Sequence, residues 1–70
     1  MKKISIIVPV YNEEEALPYL FKRLTPLIND IDKYEFEVLF VDDGSDDRTI
    51  ELIKEQREYD KRISYLSFKV

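Results

Sequence analysis

Residues Val41-Asp42-Asp43-Gly44-Ser45 set two carboxylates, a glycine and a hydroxyl at the end of an apolar run. If that run is a strand, Asp42 and Asp43 stand at its carboxyl end, where open α/β sheets bind their ligands. There they could accept hydrogen bonds from a base or a ribose, or face a metal ion. The first apolar run ends in a similar way, in Val8-Pro9-Val10-Tyr11-Asn12-Glu13-Glu14-Glu15. At such a tip a tyrosine can cover a nucleobase and a carboxylate can hold ribose hydroxyls, so Tyr11, Asn12 and Glu13 join Asp42 and Asp43 as candidates. Adjacent carboxylates repel one another unless something binds them, and one of the pair can instead brace its own loop. Two polar, acid-bearing ends in one short chain imply one shared crevice.

The bulk properties narrow the chemistry. Seventy residues make at most one small domain, and a chain of that size buries only about 60% of its unfolded surface. A composition 44% hydrophobic and 37% charged is that of a globular protein. With 15 acidic and 11 basic residues the formal charge is -4, which argues against a nucleic-acid partner, since those need a basic face. The sequence has no cysteine and no histidine. A disulfide framework, a Cys/His zinc site, a thiol nucleophile and a Ser-His-Asp triad are therefore excluded. A metal would have to be a hard cation held by oxygen, such as Mg²⁺ or Mn²⁺. Ile4 to Val10 is too short for a signal peptide or a membrane span, which needs about 20 apolar residues. The chain accordingly reads as soluble and cytoplasmic.

The elements that must position these loops are legible as an alternation. Ile4 to Val10 is a β-branched run of the kind buried on both faces of a parallel sheet, with Pro9 expected to end its ladder. Leu17, Leu20, Phe21, Leu24, Leu27, Ile28 and Ile31 form a helical stripe. Pro18 fits only a first turn, which sets the helix start near Ala16 or Leu17; Pro26 is expected to kink or interrupt it. Glu13 to Glu15 precede this helix, where its dipole favours negative charge. Phe36 to Val41 reads as the second strand. Ser45 is the expected N-cap of a second helix, with Asp46 and Asp47 in its first turn and Ile50, Leu52 and Ile53 as its apolar face. Ile63 to Phe68 reads as the third strand. The order βαβαβ predicts an α/β fold with a parallel three-stranded sheet. Such a sheet leaves two edges and one face poorly covered, so self-association is expected.

Several residues have plain structural readings. Arg48 is expected to pair with Asp47 or Glu51 on a helix surface, and Tyr19, Tyr34, Tyr59 and Tyr65 to serve in packing. Gly44 is the single glycine, which rules out both the G-x-G-x-x-G dinucleotide fingerprint and the P-loop.

Taken together, Ile6-Ile7-Val8-Pro9-Val10-Tyr11-Asn12-Glu13-Glu14 and Val41-Asp42-Asp43-Gly44-Ser45-Asp46-Asp47-Arg48-Thr49 resemble family 2 glycosyltransferases of the GT-A fold. Pro18, the closing strand and Asp47-Arg48-Thr49 look most like the polyprenyl-phosphate branch, which includes dolichol-phosphate mannosyltransferases and bactoprenol glucosyltransferases. The resemblance implies a Rossmann-like, nucleotide-sugar-binding segment spanning residues 1–70 and incomplete by itself. It also implies an inverting transfer of a hexose from a UDP-glucose-type or GDP-mannose-type donor to a lipid-phosphate acceptor. By match to the family pattern, Pro9, Tyr11 and Glu13 would line the nucleoside pocket with Asn12 beside them. Asp43 would meet the base, with Asp42 next to it, and no catalytic residue is assigned. The family's metal-binding Asp-x-Asp, which would hold Mg²⁺ or Mn²⁺, is expected beyond Val70, as are the acceptor residues. The segment alone is thus expected to be inactive, and its parent to work at the cytoplasmic face of the membrane. The alternatives are a nucleotide-binding module without chemistry and a self-associating fragment.

Overall fold

The computed structural model describes residues 2–68. Five elements follow one another: β1 (Lys2–Val10), α1 (Leu17–Asp30), β2 (Tyr34–Asp42), α2 (Thr49–Tyr59) and β3 (Ile63–Ser67). All three strands are parallel and lie in the order β1-β2-β3. This is the α/β fold that the alternation of the sequence predicts. The register pairs Val10 with Asp42, and Asp42 with Ser67. One rung thus carries the carboxyl ends of all three strands, with Asp42 in the middle.

Alternation along the strands decides what is buried. Val10, Val38, Phe40 and Ile63 join Leu17, Phe21 and Ile28 of α1 and Ile53 of α2 in a single core. Both helices therefore cover the same face of the sheet. The Phe21 and Phe40 rings meet edge to face, with centroids 5.7 Å apart, a contact worth about 0.5–1.5 kcal/mol beyond the area it buries. The opposite face, built on the rungs Ile7-Leu39-Ser64 and Pro9-Val41-Leu66, has no helix over it. Ile7 is 64% exposed and Leu66 52%, so β1 is not buried on both faces as its β-branched composition suggests. A continuous apolar run shows that both faces suit burial, but two helices cover only one.

Three local expectations are corrected. Pro9 does not end the ladder: β1 pairs through Val10, and the Asp43 N–H then donates to the Val10 carbonyl (3.1 Å). On an edge strand a residue's N–H can point away from its single neighbour, so proline costs no ladder bond there. Pro26 does not interrupt α1, which runs unbroken from Leu17 to Asp30 with Pro18 in its first turn. Leu27 and Ile31, counted in the helical stripe, are exposed rather than in the core. Of the tyrosines expected to pack, Tyr65 is half-buried with Lys54 over its ring and Tyr34 meets Phe36 edge to face, whereas Tyr19 and Tyr59 stand largely in solvent.

Candidate functional site

The two acid-rich loops meet at the carboxyl end of the sheet, and hydrogen bonds lace them together. From the first loop, the Asn12 N–H donates to Ser45 Oγ (2.8 Å) and the Glu13 N–H to Thr49 Oγ1 (2.8 Å). The Glu14 N–H donates to Asp47 Oδ2 (3.2 Å). In the reverse direction, the Asp46 N–H donates to Asn12 Oδ1 (2.8 Å). Asn12 adopts the left-handed backbone conformation at φ 50, which asparagine tolerates better than most side chains. Gly44 follows at φ 93, where any side chain would be strained.

Asp42 lies beneath this lacing with none of its surface exposed. Ser45 donates to Asp42 Oδ1 through both its hydroxyl and its N–H (the latter 3.1 Å), and Ser67 Oγ donates to Oδ2 (3.0 Å). Burial works against the charge on Asp42. The Ser45 hydroxyl and N–H, the Ser67 hydroxyl and the Gly44 N–H outweigh it, holding the carboxyl below its usual range. Asp43, one residue on, is exposed. The adjacent pair thus divides into a buried brace and a solvent-facing carboxylate.

Ser45 is not the N-cap of α2. The helix begins four residues later at Thr49, and the Ser45 hydroxyl is turned inward to Asp42. Asp46 and Asp47 therefore precede the helix and are not in its first turn. Asp47 Oδ1 accepts from the Thr49 N–H (2.9 Å) and from the Thr49 hydroxyl, and so supplies a partner to the helix start that Ser45 was expected to serve. Burial opposes the Asp47 charge too, but the Thr49 hydroxyl and N–H and the Glu14 N–H keep its pKa lowered. Arg48 pairs with Glu51 (3.1 Å) and Glu55 (3.5 Å) on the helix surface, as expected of it.

Of the predicted site residues, Pro9, Tyr11, Glu13 and Asp43 are exposed at or beside the strand ends. Pro9 lies on the open face of the sheet and pairs with Val41. Asn12 is held against the second loop through both its backbone N–H and its side-chain Oδ1. Sequence reasoning missed the positioning roles of Asp47, Thr49 and Ser67. The only hint is that each is a small polar residue near a strand or helix end, where such residues are common for many reasons.

A metal-binding set is not evident. Among the described residues no three Asp, Glu, His or Cys side chains are grouped to hold an ion, so the residues present do not fit Mg²⁺ or Mn²⁺. An Asp-x-Asp spacing does occur, at Asp30-Ile31-Asp32. It straddles the end of α1, at the amino end of the parallel sheet and away from the loops, and among the described residues it is not part of a group that could hold an ion. A depression of about 280 Å³ between the loops is lined by Asn12, Glu13, Glu14, Glu15, Ala16 and Asp47. Its acidic lining suits no anion. A larger groove, about 680 Å³, opens at the amino end beside Lys3, Tyr34, Phe36 and Arg62. Size does not make it the site, because Arg62 is already spent on Asp60 (2.7 Å) and the strand-end loops are at the other end.

A parallel α/β sheet with two laced loops beyond its carboxyl ends defines an α/β segment of the Rossmann-like kind. The chain belongs to glycosyl transferase family 2, whose pattern matches residues 5–70. It is similar to undecaprenyl-phosphate 4-deoxy-4-formamido-L-arabinose transferases from Salmonella choleraesuis (strain SC-B67), Salmonella newport (strain SL254) and Salmonella paratyphi A. In each, 64 residues are 44% identical, covering 90% of this chain and 19% of the relative. The chain thus spans about a fifth of the length of the curated relatives it matches. No helix among the described residues is long and apolar enough to cross a membrane.

Proposed function

We propose that residues 1–70 form the donor-nucleotide side of an inverting sugar transferase. Its donor is a UDP- or GDP-hexose and its acceptor a polyprenyl phosphate. The observation that carries the reading is the division of labour at the strand ends: Asp42 is buried as a brace while Tyr11 and Asp43 remain exposed beside it. In this reading Asp43 accepts hydrogen bonds from the base, Tyr11 and Pro9 cover its face, and Glu13 meets the ribose. A phosphate acceptor is already an anionic nucleophile, so its oxygen attacks the anomeric carbon and the nucleoside diphosphate leaves. Little help from a general base is needed. The names of the relatives contain undecaprenyl phosphate, which supports a lipid-phosphate acceptor; work of the parent protein at the cytoplasmic membrane face is part of the same proposal. Divalent metal and acceptor contacts fall to residues other than these, so the isolated chain is expected to transfer no sugar.

The test is a titration of the chain with UDP and GDP followed by NMR. Shifts centred on Tyr11, Glu13 and Asp43, lost in Asp43→Asn, are expected; shifts confined to other residues sink the reading. The open sheet face, with Ile7, Leu66 and Phe68 exposed, and the edges β1 and β3 favour a second property, self-association of the isolated chain. Sedimentation showing a monomer at all concentrations would remove it.

A further inference from the structure

We infer that Asn12 is a positioning residue whose side chain clamps the second loop and so sets the placement of Tyr11 against Asp43; this rests on the donor reading above. Asn12 is exposed and sits in an acid-rich tip, which suggests a group waiting for a ligand. Its hydrogen bonds point inward instead. Its N–H is given to Ser45 Oγ and its Oδ1 receives the Asp46 N–H, so both ends of one residue grip a loop 33 and 34 positions away. Ser45 in turn gives its hydroxyl to Asp42, which also takes the Ser67 hydroxyl. The chain Asn12-Ser45-Asp42-Ser67 therefore runs across the ends of all three strands.

Backbone conformation explains why asparagine stands at this position. At φ 50 a β-carbon is poorly tolerated, and glycine would relieve the strain. Glycine, however, has no side-chain oxygen for the Asp46 N–H. Asparagine is among the few residues that accept the left-handed region and still present an acceptor. Tyr11 precedes Asn12 directly and Asp43 lies two residues before the gripped Ser45, so loosening the clamp frees the two exposed groups to move apart while the sheet beneath stays in place.

The experiment compares the wild-type chain with Asn12→Gly and Asn12→Asp. Glycine keeps the backbone and its N–H but removes the acceptor; aspartate keeps an acceptor. In Asn12→Gly the Asp46 amide should exchange roughly five- to tenfold faster, the equilibrium worth of one net hydrogen bond. Tyr11 and Asp43 signals should shift, while the strain that glycine relieves at this position offsets the lost bond, so that the core amides of Val38 and Phe40 and the melting temperature stay near wild type. Asn12→Asp should return the Asp46 amide to the wild-type rate. Unchanged exchange at Asp46 with unchanged Tyr11 and Asp43 signals in Asn12→Gly overturns the inference, and so does a loss of protection spread evenly over the core. UDP and GDP titrations add the functional arm. If wild type binds, Asn12→Gly should bind several-fold more weakly and Asn12→Asp should not; equal affinity of Asn12→Gly overturns the clamp. If wild type binds neither nucleotide, the donor reading fails and the exchange comparison alone decides the clamp.

Discussion

Two clasps join the loops, and they are built alike. In each, a hydroxyl donates a hydrogen bond to an aspartate two or three residues earlier and accepts a backbone N–H from the first loop. Ser45 does so between Asp42 and Asn12, and Thr49 between Asp47 and Glu13. They differ in what lies under them. The inner clasp rests on a fully buried carboxylate that also binds Ser67 at the end of β3, so it ties three strands. The outer clasp rests on a carboxylate nearer the surface, and it ties one loop to one helix start. Asp42 and Asp47 are thus engaged in holding the loops in shape. An acid-rich loop at a strand end does not turn every carboxylate outward.

The comparison breaks most visibly at Asp42. Asp42→Ala strands the Ser45 and Ser67 donors in a buried place, and its cost should be about 3 kcal/mol, on the scale of a broken buried hydrogen-bond network. A folded chain of 70 residues has about 4–10 kcal/mol in total, from roughly 0.05–0.15 kcal/mol per residue. Its melting temperature should therefore fall by more than about 10 °C. A drop no larger than that of a surface substitution would show that the inner clasp is not a brace.

The outer clasp should break more gently. Thr49→Val keeps the shape of a fully buried side chain but leaves the Glu13 N–H and one Asp47 lone pair without it. A loss of about 1–2 kcal/mol is expected by denaturant titration. Thr49→Ser, which keeps the hydroxyl, should recover most of it. If Thr49→Val costs as much as Asp42→Ala, burial is not what separates the clasps.

The sequence discloses one part of this arrangement far better than the other. Three strands and two helices follow from apolar spacing, since a period of two or 3.6 is imposed by the backbone itself. Their parallel order follows from the alternation. The edges were harder: β2 extends two residues before Phe36 and one beyond Val41, because strand ends are set by pairing with neighbours. That the two loops meet at the strand ends is legible in the sequence, but their internal roles are not. Asp42 and Asp43 are the same residue type in adjacent positions, and only the register, which puts Asp42 on the rung between Val10 and Ser67, makes one a brace and the other a surface group. From sequence Ser45 reads as a cap, because a serine before a helix usually is one. Its role here depends on Asn12, 33 residues away, and no local rule sees that far.

Acid sharpens the comparison with the smallest perturbation. Asp42, Asp47 and Asp60 all have pKa values lowered from 3.8, Asp60 mainly through the Arg62 side chain. A carboxyl whose pKa is lower in the folded chain binds protons more readily once unfolded. Its contribution is therefore fully present above the unfolded value and is lost as pH falls through the folded one. The melting temperature should accordingly change little between about pH 7 and pH 5 on account of these groups, then decline below about pH 4. Asp42→Asn gives the inner half of that comparison. A neutral amide stands in for a protonated carboxyl, so the variant should be less stable than wild type at neutral pH and converge on it in acid. Asp47→Asn should converge in the same way from a smaller starting gap, because its carboxyl spans fewer elements. A gap between wild type and Asp42→Asn that keeps its size from pH 7 down to pH 2 would mean that the charge on Asp42 adds nothing. In that case the side chain's shape alone would hold the three strand ends together.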